Sequence, residues 1–333
     1  MARRRALVHA AALAAALALA VAGCSDSGGK DAEEKPEGNK GTKAVNTPRM
    51  TIAMVTHSGQ GDTFWDIVQK GAQQAAAKDN VKFLYSNDKE AKGQAQLVQA
   101  AIDQKVDGLI VTLAKPEAMK DVLAEARSAG IPVVTINSGA QFSAEYGAMS
   151  HFGQDEAVAG EAIGTELTKR GKKKALCVLH EQGNVSLEER CDGAKKTFDG
   201  RMDKLYVEGT NMPDVLASLT SKLQSDKSLD AVVTLGAPFA ATAAKAAKDV
   251  GSDVEIDTFD LNAEVVKQLK AKEIGFAVDQ QPYLQGYLAV DALWLNATNG
   301  NVLGGGKTVL TGPAIVTDKD VPALEKYTAK GTR

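Results

Sequence analysis

"DGLIVTLAKPEAMKDVLAEARSAGIPVVTIN", residues 107–137, carries the architecture in one stretch. The apolar run at 108–113 reads as a strand, 116–129 as an amphipathic helix, and 131–137 as the next strand. A nearly continuous apolar strand has no solvent face, so it belongs in a parallel sheet covered by helices on both sides. The same rhythm runs outward in both directions. Upstream, strands are expected at 50–56 and 81–85, with helices at 64–77 and 92–104. Downstream, strands are expected at 174–180, 204–208, 231–235, 254–259 and 274–278.

The opening stretch also has an echo. "DGLIVTLAKPEA" at 107–118 returns as "DAVVTLGAPFA" at 230–240, "MVTH" at 54–57 returns as "CVLH" at 177–180, and "VVTIN" ending at Asn137 returns as "IDTFD" ending at Asp260. All three offsets are 123 residues (230 − 107, 180 − 57, 260 − 137). Ordered matches at one spacing point to duplicated lobes. The expected fold class is α/β, with two doubly wound parallel-sheet lobes.

The flanks and bulk properties narrow the class. The chain has 333 residues, enough for two cores, and a formal net charge of −3, which argues against a nucleic-acid partner. Residues 1–24 read as a secretory leader: basic "MARRR", an apolar run, then "VAGC". "VAGC" resembles the lipobox of bacterial lipoproteins, which makes Cys24 the lipidation site; the plainer alternative is a cleavage site with an incidental cysteine. Residues 25–49 are Gly, Lys, Glu, Asp and Pro with few apolar groups, and read as a flexible tether. Cys177 and Cys191 remain. In an oxidising compartment they either form a disulfide, stabilising by about 3 kcal/mol, or stay as two buried thiols.

Ligands of open parallel sheets bind outside the carboxyl ends of the strands. Two facing lobes therefore form a cleft walled by post-strand loops. On one of these, "GQGDTFWDIVQKG" at 59–71, Phe64 and Trp65 stand side by side where the loop becomes a helix. The loops also supply Asp62, Asn137, Glu181, Gln182, Asn184, Arg190, Asp260, Asn262, Gln280 and Gln281. Aromatic faces suit the C–H faces of a sugar ring, and carboxylates, amides and Arg suit its hydroxyl rim.

From about 50 to 320 the chain resembles the ribose- and galactose-type periplasmic binding proteins, the substrate-binding subunits of ABC sugar importers. Asp62, Phe64 and Trp65 match that family's polar residue followed by aromatics; "GIPVVTIN" places Asn137 where the family has a sugar-binding Asp, and Ser138 where it often has Arg. "GQDEAVAG" at 153–160 resembles its "D-x-x-x-x-G". Arg190 in "ERCDG", Asp260 in "TFD" and Gln280 in "DQQPY" match its hydroxyl-binding Arg, Asp and Gln, whereas "LGAPFA" has no counterpart to the family's Asn near 235–237. The resemblance implies ligand-binding residues Asp62, Phe64, Trp65, Asn137, Ser138, Arg190, Asp260 and Gln280. It also implies a neutral sugar or cyclitol as ligand, no cofactor, no metal and no catalysis.

The expected N-terminal lobe is 50–151 plus 281–310, and the C-terminal lobe 152–280 plus 311–330, joined by three crossing strands. The expected partners are an ABC permease and the membrane, through lipid on Cys24, with the protein a monomer on the outer face. One rival reading is a sensory binding protein for a nucleoside or signal molecule. Another is a hydrolytic or metal enzyme using His57, His180 and Asp260, although no metal-ligand spacing supports it. A repressor of the same fold is disfavoured by the leader. "GGG" at 304–306 before Lys307 reads as a turn, "KKK" at 172–174 as a solvated face, and Asp88, Lys89, Glu90 and Lys92 as surface residues.

Overall fold

The computed structural model describes residues 47–59 and 62–333. The expected leader, Cys24 and all but the last three residues of the expected tether lie outside the described residues.

The chain lays down two sheets in succession. The first is built from β1 (Thr51–Thr56), β2 (Lys82–Asn87), β3 (Gly108–Val111), β4 (Val133–Ile136) and β5 (Ser150–Gly153). Between them run α1 (Thr63–Lys78), α2 (Ala91–Asp103), α3 (Lys120–Ser128) and the single turn α4 (Ala140–Ser143). The second is built from β6 (Lys174–Leu179), β7 (Arg201–Tyr206), β8 (Ala231–Thr234), β9 (Glu255–Phe259) and β10 (Ala277–Asp279). It is interleaved with α5 (Glu156–Lys169), α6 (Val185–Thr197), α7 (Met212–Ser225), α8 (Ala237–Asp249) and α9 (Ala263–Ala271). The chain then returns through α10 (Pro282–Asn299) and β11 (Thr308–Leu310) to the first sheet, and through β12 (Ala314–Val316) and α11 (Val321–Thr328) to the second.

The sheet orders are β11-β5-β4-β3-β1-β2 and β12-β10-β9-β8-β6-β7. The described pairings are parallel except for β12, which runs antiparallel to β10 at the edge. Central strands β3, β4 and β8 are buried along their whole length, as double coverage by helices requires. The internal repeat is structural: β6 begins and ends 123 residues after β1, and β8 does so after β3. Asp107 and Asp230 play the same part in each half. The Asp107 carboxylate accepts from the backbone N–H of Thr51 at 2.7 Å, and that of Asp230 from Lys174 at 2.9 Å, which pins the first strand of each sheet.

Two helix pairs pack closely enough to need glycine. A Cβ on Gly71 or Gly286 would collide with backbone across the α1–α10 contact, and one on Gly160 with the carbonyl of Arg190 across α5–α6. The family-like Gly160 therefore serves helix approach, and Asp155 in the same motif caps α5, its carboxylate accepting from Val158 N–H at 3.0 Å. Cys177 of β6 is disulfide-bonded to Cys191 of α6, with Cα atoms 5.9 Å apart.

Several expectations need correction. The boundary expected between 151 and 152 falls inside β5, and the chain leaves the first sheet only after Gly153. The other two passages between sheets are at 280–281 and 311–313. The strand expected at 204–208 begins at Arg201, and the one expected at 274–278 covers Ala277–Asp279. The helix expected at 116–129 is a 3-10 turn at Pro116–Ala118 followed by α3. Strands β5, β11 and β12 had no sequence signal. Among the described residues no helix is long and apolar enough to cross a membrane.

Candidate functional site

The carboxyl ends of both sheets open on one cavity of about 440 Å³. Its lining includes all eight residues singled out from sequence: Asp62, Phe64, Trp65, Asn137, Ser138, Arg190, Asp260 and Gln280. Glu181, Gln182 and Asn184 line it as well. Gln281 and Asn262 do not: Gln281 donates to the Thr311 carbonyl at 2.7 Å, and the Asn262 side chain caps α9 by accepting from Val265 N–H at 2.8 Å.

Asn137 and Asp260 follow β4 and β9 directly, and both have left-handed backbones, with φ of 62° and 69°. Asn and Asp tolerate that region better than most side chains. The amide of each is held by the neighbouring strand, Asn137 N–H by the Phe152 carbonyl at 3.0 Å and Asp260 N–H by the Val278 carbonyl at 2.8 Å. Gln280, just after β10, joins them. Its Nε2 donates to Asp260 Oδ1 at 2.6 Å, and its Oε1 accepts from Asn137 Nδ2 at 3.1 Å. Ser138 Oγ donates to Asn137 Oδ1 at 2.7 Å, and Gln285 Nε2 braces Gln280 Oε1 at 3.1 Å. A polar ladder thus crosses the floor of the cleft from one lobe to the other.

Arg190 projects from α6 and is almost wholly buried. Its Nε and Nη2 donate to the two oxygens of Glu156 at 2.6 and 2.9 Å, and Gln154 Nε2 donates to Glu156 Oε2 at 2.9 Å. Phe259 lies under the guanidinium at 4.4 Å. Burial lowers the affinity of Arg190 for its proton, but Glu156, Asp260 and Glu189 outweigh that and hold it above its ordinary value.

Two cleft carboxyls, Asp260 and Asp62, are shifted upward, whereas Glu181 is held below its ordinary value because His57, Asn184 and Lys115 outweigh its burial. Burial pushes Asp260 up to about 7, against the pull of Arg190 and Gln280. It pushes Asp62 up to about 6, although Asp62 also accepts from Phe64 N–H at 3.0 Å as the cap of α1. A buried carboxylate costs less when it carries a proton or meets hydroxyl donors.

Both aromatics expected to cover a ring line the cavity, but they are packed differently. Trp65 is 5% exposed and belongs to the core beneath the first sheet, while Phe64 is half-buried and meets it edge-on with centroids 5.1 Å apart. His57 also meets Trp65 edge-on, at 5.2 Å. Across the cleft His180 stacks on Phe239 at 4.1 Å. The sequence reading does not single out Phe239, which lines the cavity from the first turn of the helix that follows β8; an aromatic at that place is a usable signal. Glu156 was missed likewise, in the shadow of Asp155. Lys89 and Glu90 are exposed, as expected, and line the cavity as well.

His57 and His180 occupy matching strand ends, as the repeat requires. Burial lowers the pKa of both, that of His180 to about 4, so both are neutral at pH 7. His57 Nδ1 lies 2.8 Å from Thr112 Oγ1, and its Nε2 lies 3.3 Å from Asn184 Nδ2. Among the described residues no group of three or more His, Cys, Asp or Glu is arranged to hold a metal ion.

Comparison with known proteins agrees with this geometry. The sequence profile of the periplasmic binding protein domain matches residues 52–301. The chain is 25% identical over 265 residues to the ribose import binding protein of Bacillus subtilis strain 168, covering 78% of this chain and 85% of that protein. It is 27% identical over 252 residues to the ribose import binding protein of Haemophilus influenzae, covering 72% and 83%. A solved carbohydrate transporter from Acidothermus cellulolyticus 11B, in complex with myo-inositol, is 50% identical with a TM-score of 0.85, covering 86% of this chain and all of that one.

Proposed function

Because this chain belongs to the periplasmic binding protein domain family, we propose that it captures a neutral sugar or cyclitol in the cleft between its lobes. In this reading it hands the ligand to an ABC importer and acts as a monomer outside the cytoplasm, held to the membrane by lipid on Cys24. It does no chemistry on its ligand. Asp62, Asn137, Ser138, Arg190, Asp260 and Gln280 hydrogen-bond the hydroxyl rim, and Phe64 and Trp65 face the ring from the first lobe.

The observation that carries this reading is the convergence of those eight side chains on one cavity. They come from five separate segments of the chain, belonging to both sheets and the helices that follow them, and the cavity is of a size that encloses a small ring. The myo-inositol complex of the half-identical relative supports a cyclitol as the first ligand to try. Closure follows from linkage: a ligand touching both lobes binds the closed arrangement better than the open one and shifts the population toward it.

A thermal-shift screen of the chain against pentoses, hexoses, inositols and nucleosides tests the proposal. At least one neutral ring is expected to stabilise the protein, by about 2.7 kcal/mol at a hundredfold excess over Kd. A flat response to every neutral ring, or turnover of a bound glycoside, would refute it.

A further inference from the structure

We infer that Glu156 sets ligand charge selectivity: by holding Arg190 from behind, it makes the cleft refuse acidic rings and accept neutral ones. The inference rests on the reading of the cleft as a ring-binding site and names a positioning residue that does not itself line the cavity.

An arginine in a binding cleft ordinarily favours carboxylates and phosphates, because its fork presents two parallel N–H groups and a full charge. Here the side-on fork is engaged inside the protein, since Nε and Nη2 both donate to Glu156. Nη1 donates to the Leu235 carbonyl at 3.4 Å. Glu156 is as buried as Arg190 and sits 2.6 Å from it, so water does not screen the pair and the two charges cancel where a ligand would feel them. What Arg190 offers the cleft is N–H donors on a neutralised group, which suits a hydroxyl oxygen.

The other lining cations are balanced too. Lys115 lies 3.1 Å from Glu181, and Lys89 lies 3.8 Å from Glu208. Asp62 and Asp260 line the same cavity and have no cation within ion-pair distance among the described residues. The helix N-termini around the cleft do not reverse that balance. Asp62 and Asn184 already cap α1 and α6, and the uncapped start of α8 at Gly236 contributes only about half a positive charge. An anionic ring would thus meet two carboxyl groups that have hydrogen bonds but no ion-pair partner, and no free cation. A neutral ring would donate hydroxyls to those carboxylates and accept from Arg190.

Isothermal titration of the full chain with myo-inositol, D-glucose and D-glucuronate tests this. Glucuronate carries a carboxylate on the same ring as glucose. The wild type is expected to bind the better neutral ring at least about a hundredfold more tightly than glucuronate. Glu156→Gln removes the compensating charge and keeps the shape; it is expected to narrow that gap by about tenfold or more. Glu156→Asp restores the charge and is expected to keep the gap wide. A gap unchanged in folded Glu156→Gln, or as narrow in Glu156→Asp as in Glu156→Gln, overturns the inference. Should Glu156→Gln not fold, the wild-type gap decides: wide supports it, and within about tenfold overturns it. If neither neutral ring binds the wild type but another neutral sugar does, that sugar replaces them; if none binds, the reading of the cleft falls and the inference with it.

Discussion

Asn137 and Asp260 stand 123 residues apart at equivalent ends of the two lobes, and the side-chain amide of Gln280 bonds to both. Each has the left-handed backbone that turns a strand end into a cleft wall. Gln280 sits on a passage between the sheets, so the polar floor of the cleft and the hinge share a residue. A ligand that competes for Gln280, Asn137 or Asp260 acts on the link between the lobes as well as on the site.

The raised Asp260 carboxyl predicts a pH-dependent stability. In the unfolded chain it ionises near 3.8, and in the folded chain near 7. The folded state therefore holds its proton more tightly, and stability is lost as pH rises between those values. Asp260→Asn keeps an acceptor for Gln280 and removes the charge. Without ligand it is expected to exceed the wild type in stability by about 2–4 kcal/mol at pH 8, the difference closing toward pH 4. Urea titrations at both pH values check this, and an equal difference at both would count against it.

Phe64 and Trp65 are expected to separate ligand binding from folding. Trp65 belongs to the core, so Trp65→Ala costs about 3–5 kcal/mol of stability whether or not ligand is present. Phe64 is half-buried at the cavity, so Phe64→Ala costs less in melting temperature and shows mainly in a weakened ligand-induced shift. Thermal melts with and without myo-inositol distinguish the two; identical behaviour of both variants would place Phe64 in the core as well.

The bridge between Cys177 and Cys191 spans 14 residues and ties β6 to the helix that carries Arg190. Replacing both with Ala is expected to destabilise by about 3 kcal/mol through the freed unfolded chain. Equilibrium unfolding of the double variant, set against the wild type under reducing and oxidising conditions, measures it. A wild type indifferent to reductant speaks against the bridge.

Gly160→Ala and Gly286→Ala are each expected to cost about 1–3 kcal/mol, because backbone occupies the space where the methyl group must go. The same change at Gly171, which has nothing within 4 Å of a Cβ but a φ of 76°, is strained by its backbone alone and isolates that effect. Chemical denaturation of the three variants gives the comparison.

Much of the site was legible because its residues sit where a local pattern ends. The end of each apolar run marks a post-strand loop, and the repeat marks which loops correspond, so Asn137, Asp260 and Gln280 could be named from spacing and resemblance. Trp65 was legible as a cleft residue but not as a core one, since the cluster it joins brings in residues of β1 and α10 that are distant in sequence. Strand β11 left no signal: it is three residues long, half-exposed, and exists because Thr308 pairs with His151, 157 residues earlier (308 − 151). Periodicity reports on neighbours within a turn or a pleat and is silent on such pairings.

By itself, the sequence determined the α/β class, the duplicated lobes and the loops that face the cleft, because buried parallel strands and their covering helices leave apolar runs of characteristic length. Only the tertiary structure decided that Gln280 joins Asn137 to Asp260, that Glu156 pairs with Arg190, and that Phe239 stacks on His180. Hydrogen bonds, ion pairs and ring stacking act over a few ångströms, so their partners are set by how elements distant in the chain are brought together.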